Sequence, residues 1–191
     1  MHLANKKPKK LFDVRRWKHL LIFSRGKGNM QVACCFIRKK YFDDNPNLIK
    51  MLDPGDSEKQ SQRTHICIKI STNENDFYIP LRNNLGDEIR KFGRIGHSIP
   101  TKRRPKAGLD YRYTLIINNQ EYIEIPKEQR IPNSQYQKLL VDAADIETEF
   151  SKYLEGFIKA AKKERIDKEP LYRESALANY LKELKVIETD K

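Results

Sequence analysis

The chain has 191 residues, with 38 Lys/Arg against 26 Asp/Glu, a formal net charge of +12 and three cysteines. That length buries a sizeable core without a metal or disulfide staple. The odd cysteine count, with Cys34 and Cys35 adjacent, excludes a disulfide framework and suits a reducing cytoplasm. No apolar run approaches the roughly 20 residues of a membrane-crossing helix, and Leu20 to Phe23 is too short and wrongly flanked for a signal peptide.

The charge is uneven. Residues 1–29 carry nine Lys/Arg against one acid, Asp13, which leaves about +4 for the remainder. This stretch ends in a linker-like Arg25 to Asn29 and reads as a basic N-terminal extension. It is a nucleic-acid-binding arm, a helical accessory segment around Trp17, or sequence upstream of a start at Met30.

From Met30 onward the pattern is that of one domain, residues 30–191. Gln31 to Ile37 reads as a strand. Tyr41 to Leu52 reads as a short helix stopped by Asp53-Pro54-Gly55, and 57–63 as polar loop. His65 to Ile70 and Asp76 to Leu81 alternate in the manner of strands and flank a turn, which makes a hairpin. Pro80 cannot donate to a ladder, so the second strand ends there or lies at an edge. Cys34, Cys35 and Cys67 sit within these apolar runs as small core residues.

Between Ile89 and Leu109 there are seven Lys/Arg and no Asp or Glu. A loop of that length inside a domain is usually functional or disordered, and its charge suits phosphate. Tyr111 to Ile117 and Glu121 to Ile125 read as a second hairpin around Asn118-Asn119. An apolar stripe through Leu139, Ile146, Phe150 and Phe157 predicts one long helix over 134–165. Pro170 at a first helical position predicts a last helix over 171–185. The order β-α-ββ-loop-ββ-α-α predicts an α+β fold, an antiparallel sheet covered by helices. The acidic runs 142–149 and 164–169 read as solvated helix faces.

Four segments in order carry a family resemblance: Tyr41 to Pro46, the strand end Ile79-Pro80-Leu81-Arg82, Lys106-Ala107-Gly108-Leu109-Asp110, and the C-terminal helix. Together the chain from about Met30 to Leu184 resembles the toxins of type III toxin–antitoxin systems, the ToxN/AbiQ group and within it the TenpN-like branch. The resemblance implies a compact, twisted MazF/Kid-like sheet or barrel covered by helices. It implies a cytoplasmic endoribonuclease of phage defence that needs no metal or other cofactor. Such an enzyme cuts RNA by 2′-hydroxyl attack to leave a 2′,3′-cyclic phosphate. The implied partner is a cognate RNA pseudoknot, processed and held in a ring-shaped assembly, with no membrane association. Residues 1–29 lie outside the resemblance.

In the family a Thr/Ser-rich turn and a lysine follow Pro-Leu at the strand end. Here Arg82-Asn83-Asn84 follows, so the site is to be rebuilt around these three. Metal-free cleavage needs donors for the dianionic phosphorane and a means of activating the 2′-hydroxyl. Arg82 contacts phosphate or is a surface or ion-paired arginine. Asn83 and Asn84 are hydroxyl-orienting groups or turn formers. His97 is the acid–base candidate, set among cationic neighbours. Lys106 contacts the scissile phosphate with Asp110 orienting it, or the two form a salt-bridged turn in which Gly108 permits a tight bend. Arg63 or His65 supplies a second basic group ahead of the hairpin strand. Lys91, Arg94, Lys102, Arg103 and Arg104 grip the RNA backbone. Tyr78, Tyr111 and Tyr113 stack on bases or are half-buried sheet residues. Two readings from other classes remain: a non-catalytic RNA-binding protein on the same scaffold, and a DNA-binding regulator using residues 1–29.

Overall fold

The computed structural model describes residues 33–69, 75–87, 95–128 and 130–187. The N-terminal extension, the turn of the first hairpin, and Arg90, Lys91 and Arg94 of the basic segment lie outside the described residues.

Three strands form the centre of the sheet: β1 (Ala33–Ile37), β2 (Thr64–Lys69) and β3 (Asp76–Arg82). β2 and β3 pair antiparallel with His65 opposite Pro80 and Lys69 opposite Asp76, the hairpin the alternation predicts. β1 pairs antiparallel with β2, placing Cys35 opposite His65. Beyond β3 come β5 (Gly108–Asp110) and then β4 (Gly96–Ser98). Two short strands complete the sheet: β6 (Leu115–Ile116) on β3, and β7 (Ile123–Glu124) on β1. The described residues thus hold a seven-stranded sheet in the order β4-β5-β3-β2-β1-β7, with β6 beside the path. β4 and β7 are its two ends and do not pair, so the sheet is open and the expectation of a barrel is not met.

Among the described residues four helices accompany it: α1 (Lys39–Asp44), α2 (Ser57–Ser61), α3 (Asn133–Val141) and α4 (Ala143–Lys162). The architecture is α+β, as the element order predicts. The apolar stripe of α4 packs on the sheet: the Phe150 ring meets Phe77 edge-on at 5.3 Å and Tyr111 at 5.5 Å. Phe150 and Phe157 are fully buried, each contributing about 1.5–3 kcal/mol by burial alone. A second cluster joins α1 to the C-terminal region, where the hydroxyls of Tyr41 and Tyr180 lie 2.8 Å apart. Among the described residues no helix is long and apolar enough to cross a membrane.

Five elements depart from the sequence reading. The segment 57–63, read as loop, contains α2, because Asp56 caps it by accepting from the Lys59 amide at 2.9 Å. From Ile95 onward the basic segment is a hairpin: β4 pairs with β5, pinned by the buried Ile95 and Ile99 on either side of β4. The second hairpin does not form. Residues 111–113 make a 3₁₀ turn capped by the Asp110 carboxylate, and β6 and β7 pair with different strands. The long helix divides at Asp142 into α3 and α4. The last segment makes turns and a 3₁₀ stretch at Ala176–Tyr180, although Leu177 and Leu184 are buried as the pattern requires.

Candidate nucleic-acid interface

Alternation along β3 decides which residues can meet a ligand. Leu81 and Asn83 project to one face and Arg82 to the other. On the Asn83 side lies an open cleft of about 240 Å³. Gln62, Arg63 and Thr64 reach it from the start of β2, and Leu81 and Asn83 from the end of β3. Arg104 enters from the β4–β5 turn, while Arg130, Ile131, Pro132 and Gln135 close it from the approach to α3. Among the described residues, three arginines line the cleft and no carboxylate does. Thr64 brings the only hydroxyl among these described lining residues.

Each cation has a local reason for its place. Arg63 is braced by Asp53: its Nε donates to Oδ2 at 2.7 Å, and Nη2 donates to the same oxygen. Lys59 holds the other oxygen at 2.7 Å. Burial pushes the Asp53 carboxyl up, but the bonds from Lys59 and Arg63 outweigh it and hold the group below the usual carboxylate value. A guanidinium has five donors, so a braced Arg63 still has N–H groups to offer. Arg104 ends a tight turn in which its amide bonds Thr101 Oγ1 at 3.0 Å. Arg104 and Arg130 make no ion pair with any described residue. The first turn of α3 also meets the cleft, and its dipole favours negative charge.

The remaining sequence candidates fall elsewhere. Arg82 is part of a buried cluster: its Nη1 donates to Asp110 Oδ2 at 2.7 Å, and its guanidinium lies 5.4 Å from the Tyr113 ring. Asp110 is 1% exposed and also holds Arg112 at 2.9 Å through both oxygens. It therefore orients two arginines, not Lys106, whose partner is the exposed Asp87 at 3.2 Å. Asn84 is the turn former, its Oδ1 accepting from the Gly86 amide at 2.8 Å. His97 is not surrounded by cations: Nδ1 lies 2.9 Å from Glu149 and Nε2 2.9 Å from Asp142. Both ring nitrogens are occupied, and the carboxylates read as solvated helix faces instead clamp β4 to α4.

His65 is buried on the opposite face of β2 from Thr64. Burial pushes its ring down to about 4, so it is neutral, and Nδ1–H donates to the Arg63 carbonyl at 3.0 Å. Tyr78 and Tyr111 are 1% and 0% exposed and are closed to bases, while the half-buried Tyr113 lies against Arg82 and Arg112. Lys102 and Arg103 are exposed beside Arg104 on the same turn. Lys91 and Arg94 lie outside the described residues.

Of the sequence candidates the cleft gathers Arg63, Asn83 and Arg104, and beside them it places Gln62, Thr64, Arg130 and Gln135, which the sequence reading does not single out. Alternation offers a signal for Thr64, as the residue beside His65 with the opposite facing. Arg130 and Gln135 arrive through the path from β7 to α3, which no local pattern encodes. Among the described residues no cluster of His, Cys, Asp and Glu is placed to hold a metal ion. Comparison with protein families, with curated proteins and with solved structures returned no match.

Proposed function

We propose that the chain is an endoribonuclease of the type III toxin kind, acting without metal and holding the scissile phosphate in the cleft of Arg63, Arg104 and Arg130. The observation that carries the reading is an acid-free cationic cleft at the end of β3, where the resemblance to the ToxN/AbiQ group expects the site. The residues present suit transesterification. The 2′-hydroxyl attacks phosphorus, the 5′-oxygen leaves, and the product keeps a 2′,3′-cyclic phosphate. Arg63, Arg104 and Arg130 neutralise the phosphorane, a term worth roughly 2.7–4 kcal/mol per well-placed donor. Asn83 and the Thr64 hydroxyl orient the ribose, in place of the hydroxyls missing after Leu81. An antitoxin RNA pseudoknot and a ring-shaped protein–RNA assembly belong to this proposal through the resemblance alone.

One observation favours the second reading, an RNA-binding protein that does not cut. Among the described residues that line the cleft there is no histidine, carboxylate or lysine to serve as a general base. The DNA-binding reading rests on residues 1–29, which lie outside the described residues.

The test is incubation of purified protein with a mixed-sequence RNA in EDTA, followed by identification of the product ends. Discrete cuts bearing 2′,3′-cyclic phosphate, weakened in Arg63→Ala and Asn83→Ala, support the ribonuclease. Tight binding of RNA that stays intact, in protein stripped of co-purified RNA, replaces it with the binding reading.

A further inference from the structure

Gln135 is 2% exposed yet lines the cleft. Its Nε2 donates to the Ile99 carbonyl at 2.7 Å. A carbonyl only accepts, so the amide cannot be turned over: nitrogen faces Ile99, and Oε1 is the atom left. That oxygen takes no hydrogen bond from any described residue. It is not among the side-chain atoms buried without a partner, which among the described residues are Gln60 Oε1 and Ser175 Oγ; it opens to the cleft, and a fixed acceptor in a cleft of donors needs a reason.

The neighbouring side chains supply one. Arg63, Arg104 and Arg130 are all donors and suit a phosphate. A phosphodiester has no proton to give, so an acceptor fixed among these arginines adds nothing for a bare anion. A nucleotide carries an anion and, a few ångströms away, neutral donors: the ribose 2′-hydroxyl and the N–H groups of the base.

We propose that Gln135 Oε1 is the acceptor for a neutral donor of the nucleotide whose phosphate the arginines hold, and that it makes the cleft select a nucleotide over a bare phosphate. This rests on the RNA reading above. The shared chemistry is one N–H or O–H donor, from ribose or from base.

The test measures binding by wild type and by the near-isosteric Gln135→Met. The probes are pyrophosphate, a short RNA, the same RNA with single 2′-deoxy positions, and the same RNA with purine replacing adenine or 2-pyrimidinone replacing cytosine. Gln135→Met is expected to weaken RNA about tenfold, the scale of one hydrogen bond removed from a buried acceptor, and to leave pyrophosphate unchanged. One ligand change is expected to weaken wild type similarly and have no further effect in the variant, a closed double-mutant cycle. A 2′-deoxy position with that behaviour identifies ribose; an amine-free base identifies the base. Gln135→Asn, which keeps the amide but withdraws it by one methylene, is expected to behave as Gln135→Met does and serves if methionine unfolds the chain. Equal loss of RNA and pyrophosphate, or no ligand change masked by the variants, overturns the inference. RNA that fails to bind wild type overturns both it and the RNA reading; RNA bound or cut equally by wild type and variants overturns the inference alone.

Discussion

Asp110 Oδ2 accepts from Arg82 Nη1 at 2.7 Å, on the side of β3 away from the cleft. The same carboxylate takes Arg112 at 2.9 Å through both oxygens, and it is 1% exposed. One buried acid therefore holds two cations. Removing it takes the carboxylate from Arg82 and two hydrogen bonds from Arg112; breaking a buried ion pair in this way typically costs about 3–5 kcal/mol. Asp110→Ala is expected to lower the melting temperature by roughly 10 °C for a chain of this size. Arg82→Met, which keeps the Asp110–Arg112 pair, is expected to cost less. Its RNA affinity, measured well below the melting point, is expected to match wild type. An Arg82→Met protein that is folded but fails to bind RNA would place Arg82 in the interface after all.

The cleft arginines are expected to behave in the opposite way. Arg104 and Arg130 are exposed and make no ion pair with a described residue, so removing either leaves no buried charge behind. Their alanine variants are expected to melt within about 0.5 kcal/mol of wild type. Each is expected to flatten the plot of log affinity against log salt by roughly 0.7 for every phosphate that is no longer neutralised on single-stranded RNA. Lys106→Ala is expected to change that slope less, because Lys106 pairs with Asp87 and does not line the cleft. Titration of affinity from about 50 mM to about 200 mM salt separates the three; an unchanged slope in both arginine variants would empty the cleft of phosphate.

These contrasts mark where the sequence is readable. The β2–β3 hairpin is legible because two runs rich in β-favouring residues, His65 to Ile70 and Asp76 to Leu81, flank the polar sequence Ser71 to Asn75. The helical stripe through Phe150 and Phe157 is legible from its helical period. Arg82 is misleading because period-two alternation turns adjacent residues to opposite faces, so a charged residue at a strand end is placed by parity as much as by sequence. His97 is misleading because its partners, Asp142 and Glu149, are 45 and 52 residues away. The charge counted along the chain around His97 is basic, whereas the charge around it in space is acidic. The second hairpin fails because Asp110 spends its side chain on the Arg112 amide and guanidinium, curling 111–113 out of the extended conformation.

Gly108, expected in a tight bend, is a strand residue. Its backbone is not in the left-handed region; what it supplies is the absence of a side chain. A Cβ there would lie 2.2 Å from the His97 carbonyl oxygen and 2.5 Å from Leu85 Cδ1. The first is main chain of the paired strand, so β4 and β5 would have to separate. Gly108→Ala is expected to cost at least the roughly 1–3 kcal/mol of an overpacked core. It is also expected to weaken RNA binding in the manner of Arg104→Ala, because the β4–β5 turn carries Arg104. A Gly108→Ala protein with wild-type melting temperature would show that the two strands are not packed this closely.

His65 makes stability depend on pH in a definite direction. Its ring sits in a narrow slot with Phe42, Gln60, Arg63, Tyr113 and Leu115, and among the described residues no carboxylate lines that slot. Burial first, and then the charge of Arg63, oppose its protonation, while the bond to the Arg63 carbonyl favours it; the net result is about 4, against 6.5 for an unburied ring. Between those two values the unfolded chain binds a proton that the folded chain refuses, so stability rises with pH across the window. The contribution is fully present above pH 6.5, falls as pH drops, and is exhausted near pH 4. The difference corresponds to roughly 3 kcal/mol. Asp53 and Asp142, both held below 3.8, release their stabilisation only at lower pH and do not mask the effect. His65→Asn keeps a donor for the Arg63 carbonyl and does not titrate. Urea denaturation from about pH 4 to about pH 7 is expected to show wild-type stability climbing relative to this variant by that amount; parallel curves would mean that His65 is protonated inside the fold.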